Sequence, residues 1–224
     1  SLWVCAVPLL QKYNLNAIAY VSPDRVSATS VPRRQWDSQS IPGAGITLDR
    51  TEPFFSTWSE LRAMHASGRV DIQAHSWRHA MVLASNEVIA FIQPEHREHP
   101  HAIPLVDAPD GLRFATRADL GAPLYQTRSR LSDVRRWIAP DAFANCIHHV
   151  QANGGTSFFQ REAWQAELRT CVDQSRAGRW ESEPARDAAI REEMLRARAL
   201  LEAELGKQIH HMCFPWAIAG KAAL

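Results

Sequence analysis

The chain has 224 residues, of which 25 are basic and 24 acidic, with 46% apolar and 22% charged. That is the composition of an ordinary globular protein of one large or two small domains. The balance of charge offers no footprint for nucleic acid or an anionic membrane, no apolar run is long enough to span a bilayer, and four cysteines are too few for a disulfide scaffold.

Residues 2–13 place Val4, Val7, Leu9 and Leu10 at helical spacing and predict a short amphipathic helix, against which Pro8 counts. Asn14-Leu15-Asn16 is a turn. Ala17-Ile18-Ala19-Tyr20-Val21 is a nearly continuous apolar run of the kind a buried parallel strand needs. Residues 22–55, rich in Ser, Pro, Arg and Gly, predict a long loop. Thr57-Trp58-Ser59-Glu60 has the capping-box spacing, and the helix it opens ends at Gly68. Val70–Ala74 is the next strand. Residues 94–132 predict irregular structure, and 132–173 mainly helix.

The longest helix is expected over 184–205, with Pro184 in its first turn and Gly206 as its stop. Ile190, Met194, Ala197, Leu201 and Leu205 share one face of it. A third strand is expected over 208–214, ending at Pro215-Trp216. The alternation of helices and buried strands predicts an α/β fold. The chain opens in what reads as the middle of an element and closes on what reads as the start of one. It is therefore expected to be a fragment truncated on both sides.

His75-Ser76-Trp77-Arg78-His79 follows the second predicted strand directly. Imidazole nitrogen is a good ligand for zinc and similar divalent metals. Ten histidines yield roughly 0.4 of a spacing-four pair by chance, so spacing alone does not decide its meaning. Position adds weight, because ligands of α/β sheets bind at the C-terminal ends of strands. A shared metal requires the two rings to converge, whereas an incidental pair does not. His96, His99 and His101 offer either a metal cluster or, the commoner case, a solvated loop. The adjacent pairs His148-His149 and His210-His211 each offer at most one ring to a site. Cys5, Cys146, Cys171 and Cys213 lack metal-ligand spacing and read as free thiols. Trp58 and Trp77 suit either the core or a sugar face. Tyr125, Trp137, Phe158, Phe159, Trp164 and Trp180 suit a lid, a substrate-selecting wall or a dimer contact.

The order of these motifs resembles the polysaccharide deacetylases, the NodB-homology family of carbohydrate esterases. The likeness rests on residues 2–21, on the capped helix and on Val-Asp-Ile-Gln-Ala running into His-Ser-x-x-His over 56–80. It continues with Arg198–Lys207 and the strand ending in Phe214-Pro215-Trp216, within 192–220. The resemblance implies a distorted (β/α) barrel, here truncated, with 1–224 as a partial catalytic domain. Residues 81–190 are then a long, mostly helical and irregular insertion.

It also implies a divalent metal, zinc being the expectation, held by His75 and His79. Ser76 would stand behind them, and Pro215 and Trp216 would form the cleft wall and its oxyanion contact. The implied activity is hydrolytic removal of acetyl groups from acetylated sugars or polysaccharide, with an Asp as general base. The T-F-D-D-G motif that carries this base and the third ligand would lie upstream of Ser1, and the last motif beyond Leu224. The fragment is thus expected to be inactive alone. Where the family commonly has an Arg before the Pro-aromatic pair, this chain has Met212. The alternative is a barrel without catalysis that serves as a carbohydrate-binding or regulatory module. Acetylated carbohydrate is the expected partner, with no nucleic acid and no membrane span.

Overall fold

The structure, a computed structural model, describes residues 2–28, 31–35, 55–97, 105–108, 111–139 and 141–224. The chain divides into two compact units: Ser1–His79 with Arg191–Ala217, and Ala80–Ile190 with Ile218–Leu224.

In the first unit a π-helical turn, Leu2–Ala6, runs into helix α1 (Val7–Lys12). Pro8 occupies the first turn of α1, where its missing N–H leaves no bond unmade. Strand β1 (Ala17–Val21) pairs in parallel with β2 (Val70–Ala74), Ala17 opposite Val70 and Val21 opposite Ala74. Helix α2 (Trp58–Ala66) lies between them in sequence. Its capping box is complete: Thr57 Oγ1 accepts from the Glu60 amide, and the Glu60 carboxylate accepts from the Thr57 amide. Gly68, past its end, takes the left-handed backbone (φ +70°) that glycine allows without a side-chain clash.

The two-residue period of β2 sends Val70, Ile72 and Ala74 into the core and places Asp71 and Gln73 on the opposite face. The core is completed by Leu61 and Met64 of α2 and by Ala197, Leu201 and Leu205 of the long helix α5 (Glu183–Leu205). Trp77 is buried among them, and Trp58 packs against the same cluster, so both serve the core.

The strand expected over 208–214 is reduced to one bridge, Met212 beside Ala74. The reason is where its amides go. The Ile209 N–H is taken by Glu202, and the His210 and His211 N–H groups by the side chain of Gln73. With these donors satisfied by side chains, no further backbone ladder forms.

The second unit departs from the expected helical and irregular insertion. It contains β3 (Met81–Phe91), β4 (Leu105–Ala108), β5 (Gly111–Phe114), β6 (Pro123–Ser129) and β7 (Trp137–Ile138). Then come α3 (Ala142–Ala152), α4 (Trp164–Asp173) and β8 (Arg179–Trp180). β3 pairs with β6, β4 with β5 and β7 with β8, all antiparallel. The β3–β6 register shifts twice, between Leu83 and Val88 and between Val88 and Ala90. Such bulges erase the strict alternation by which a strand is read from sequence. Phe91, Ile92, Cys146, Val150, Phe158 and Leu168 form the heart of this unit's core.

The molecule is thus a mixed α/β protein. Among the described residues the strands form four two-stranded sheets, and no closed barrel is present. None of the helices among the described residues is long and apolar enough to cross a membrane.

Candidate metal centre

β2 delivers His75 at its C-terminal end, and the next four residues turn back sharply. Ser76 and His79 both adopt left-handed backbone (φ +60° and +58°), which costs non-glycine residues free energy and persists only where neighbours enforce it. Here nearly every peptide of the turn is held. The His75 amide donates to Val21 O at 2.9 Å, and Ser22 Oγ donates to the His75 carbonyl at 2.7 Å. The Asp24 amide donates to Trp77 O, and Arg25 Nε to Arg78 O. Ser76 Oγ, fully buried, accepts from the His79 amide at 3.0 Å.

From α5, Glu193 accepts from the Arg78 amide at 3.2 Å and pairs with the Arg78 guanidinium, while Arg196 lies 4.1 Å over the Trp77 ring. The turn is therefore rigidly presented.

His75 Nδ1 lies 2.7 Å from the carbonyl oxygen of Cys213. A carbonyl can only accept, so this partner assigns the proton to Nδ1 and leaves the lone pair on Nε2. The His75 and His79 ring centroids are 4.9 Å apart. Two imidazoles that share one tetrahedral metal at about 2.1 Å have centroids about 5 Å apart, so the spacing fits a common ion. Burial, the His75 ring and the charge of Arg25 hold the His79 pKa below its ordinary value, which favours the neutral, ligating form.

Trp216 stands edge-on to His79 at 4.0 Å between centroids, about half exposed, on buried Pro215. Trp216 and Ala217 are also left-handed (φ +55° and +56°). The donor set suits a divalent metal but supplies two ligands: among the described residues no group of three or more His, Cys, Asp or Glu could hold one.

A family model described as polysaccharide deacetylase matches residues 2–99. That stretch is similar to the polysaccharide deacetylase family. No curated protein matches the chain. Among solved structures it is similar to the BpsB deacetylase domain from Bordetella bronchiseptica, at 17% identity and a TM-score of 0.43. It is also similar to a de-N-acetylase from Aggregatibacter actinomycetemcomitans, at 16% identity and a TM-score of 0.48. Each alignment covers 97% of this chain and 52% or 51% of the other, so the chain spans about half the length of either.

The matched stretch holds both histidines and Ser76, while Pro215-Trp216 lies outside it. It also runs past residue 81, where the sequence placed the start of the insertion. His96 Nδ1 accepts from the Gln93 amide within its own turn, and His149 pairs with Glu167. His99 and His101 lie outside the described residues. All four cysteines are free thiols.

Sequence reasoning passed over Gln73, Glu193 and the Cys213 carbonyl. A glutamine inside an otherwise apolar strand was a readable signal for the first. The other two act through residues more than a hundred positions away.

Proposed function

We propose that His75 and His79 form the two-histidine part of a divalent-metal centre, zinc foremost, in a hydrolase that removes acetyl groups from acetylated sugars or polysaccharide. The observation that carries this reading is the 4.9 Å spacing of the two ring centroids, with His75 Nε2 left available by the Cys213 carbonyl. A divalent cation at such a site supplies Lewis acidity toward an acetyl carbonyl and lowers the pKa of water.

The chain's own residues then have distinct tasks. His75 and His79 ligate, and Ser76 fixes the turn that aims His79. Pro215 and Trp216 form the wall against which a sugar rests. The third ligand and the general base come from an Asp pair outside the described residues. In this reading β1, β2 and the Met212 bridge are a section of barrel wall, and acetylated carbohydrate is the partner.

The test is acetate release from N-acetylglucosamine oligomers by the natural-length protein with zinc. Release that is abolished by chelator and by His75→Ala or His79→Ala is expected. Release indifferent to both substitutions overturns the reading. Sugar binding without any release points instead to a barrel that binds carbohydrate without catalysis.

A further inference from the structure

We infer that Gln73 is a positioning residue: its amide sets the register of residues 210–213 and so fixes the proton of His75 on Nδ1. The part of this inference that concerns metal rests on the reading of His75 and His79 as ligands.

Gln73 is buried on the face of β2 opposite the core, at 2% exposure. A buried amide is tolerated when its polar atoms are bonded, and here they are. Oε1 accepts from two consecutive backbone amides, His210 at 3.1 Å and His211 at 3.0 Å. Nε2 donates to Asp71 Oδ2 at 2.8 Å, and the same carboxylate pairs with Lys207. These partners also settle which way the amide points, since a flip would set its NH2 against two N–H donors.

The consequence propagates one rung at a time. With His210 and His211 clamped, the Ala74 amide meets the His211 carbonyl at 3.2 Å, and the Cys213 amide meets the Ala74 carbonyl at 3.0 Å. The next free acceptor, the Cys213 carbonyl, then faces His75 Nδ1. Only Met212 of this segment forms a bridge to β2, so a side chain supplies the alignment that a ladder would otherwise give. A slip of one residue would turn the Cys213 carbonyl away from the ring. His75 would then lose the bond that selects its tautomer, and with it the guarantee that Nε2 is the free nitrogen.

The experiment compares the chain with Gln73→Leu and with the double variant Asp71→Asn/Gln73→Glu. The double variant exchanges donor and acceptor while keeping an oxygen for the two backbone amides. Imidazole nitrogen shifts, by NMR of histidine-labelled protein, report the His75 tautomer. Calorimetry with zinc chloride reports affinity, and thermal unfolding reports folding.

Gln73→Leu is expected to give mixed His75 tautomers and zinc binding weaker by about tenfold, in the range for partners of metal-binding histidines. The double variant should keep the Nδ1–H tautomer. Unchanged tautomer and affinity in Gln73→Leu overturn the inference, even if its unfolding temperature falls. Loss of the tautomer in the double variant overturns it too, and this arm stands if Gln73→Leu does not fold. If the unsubstituted chain takes up no zinc while the tautomer still follows Gln73, the metal reading fails and the coupling of Gln73 to His75 holds.

Discussion

The His75 imidazole donates its Nδ1 proton to the Cys213 carbonyl at 2.7 Å, across 138 positions of sequence. One nitrogen is thereby consumed, and the other keeps its lone pair on a ring whose centroid lies 4.9 Å from that of His79. The metal-binding capacity of the chain should therefore reside in this pair. His75→Ala and His79→Ala are each expected to lower zinc affinity by about tenfold or more, as loss of one ligand from a small set does. His96→Ala and His149→Ala should leave it unchanged, since these rings serve a local turn and a hydrogen bond to Glu167. Titration calorimetry on the four variants checks this, and equal losses in all four would mean that zinc binds elsewhere.

Glu60 joins the start of α2 to Arg33. Its carboxylate, fully buried, accepts from the Arg33 amide at 2.9 Å, from Arg33 Nε at 2.7 Å and from the Thr57 amide at 3.1 Å. Burial raises its pKa, but the bonds from Arg33 and Thr57 outweigh burial and leave it below the ordinary value. Glu60→Ala should cost about 3 kcal/mol, because it strands the nearly buried Arg33 charge and opens the cap. Thr57→Ala should cost about 1 kcal/mol, the worth of a single cap bond. Urea unfolding followed at α2 separates the two; equal costs would show that the Arg33 pair contributes nothing beyond the cap.

The cap at Thr57 and Glu60 was legible because it is written within four residues. The buried face of α5 was legible for the same reason: Ile190, Ala197, Leu201 and Leu205 follow a period that needs no partner to be seen. His75 and His79 were readable as a pair, since a tight turn brings them together. What stayed hidden depends on distant partners or on broken periodicity. Glu193, a charged residue on the buried side of α5, makes sense only beside Arg78. The carbonyl of Cys213 carries no residue signature at all. β3 escaped because Val82 and Leu83, adjacent in sequence, are both interior, and because its register shifts twice after Leu83. The strand expected at 208–214 failed because Gln73 and Glu202 took its amides, a competition that hydrophobic pattern does not record.

Acid should loosen the second unit through Asp119. Burial raises the pKa of this carboxyl. Two bonds from the Arg113 guanidinium, at 2.7 and 2.8 Å, and two from Thr116 reverse that and bring it down to about 2. A folded-state pKa below the unfolded value means that the contribution is complete above about pH 4 and is lost as pH falls toward 2. Its size is about 1–2 kcal/mol, because Arg113 is half exposed and partly screened. Asp119→Asn should be less stable than the parent at pH 6, and the gap should narrow as pH falls below about 4 and close only below about pH 2. Amide exchange at Leu120 across that range checks it; a gap independent of pH would mean that the shape of the side chain, and not its charge, is what matters.

Gly121 tests how tightly the second unit is packed. Its backbone is left-handed (φ +90°), and a Cβ there would lie 2.3 Å from Val150 Cγ2 and 3.0 Å from the Cys146 carbonyl. The Val150 methyl cannot retreat easily, since Val150 is fully buried in the core of α3. Gly121→Ala should therefore cost about 2–4 kcal/mol, combining a steric clash with backbone strain of about 1 kcal/mol. Adding Val150→Ala removes the clashing methyl, but the carbonyl contact and the strain persist and a small cavity opens. The double variant should thus recover part of the loss and remain less stable than the parent. Denaturant unfolding of both variants decides the matter, and full recovery would show that the left-handed backbone at residue 121 carries no strain of its own.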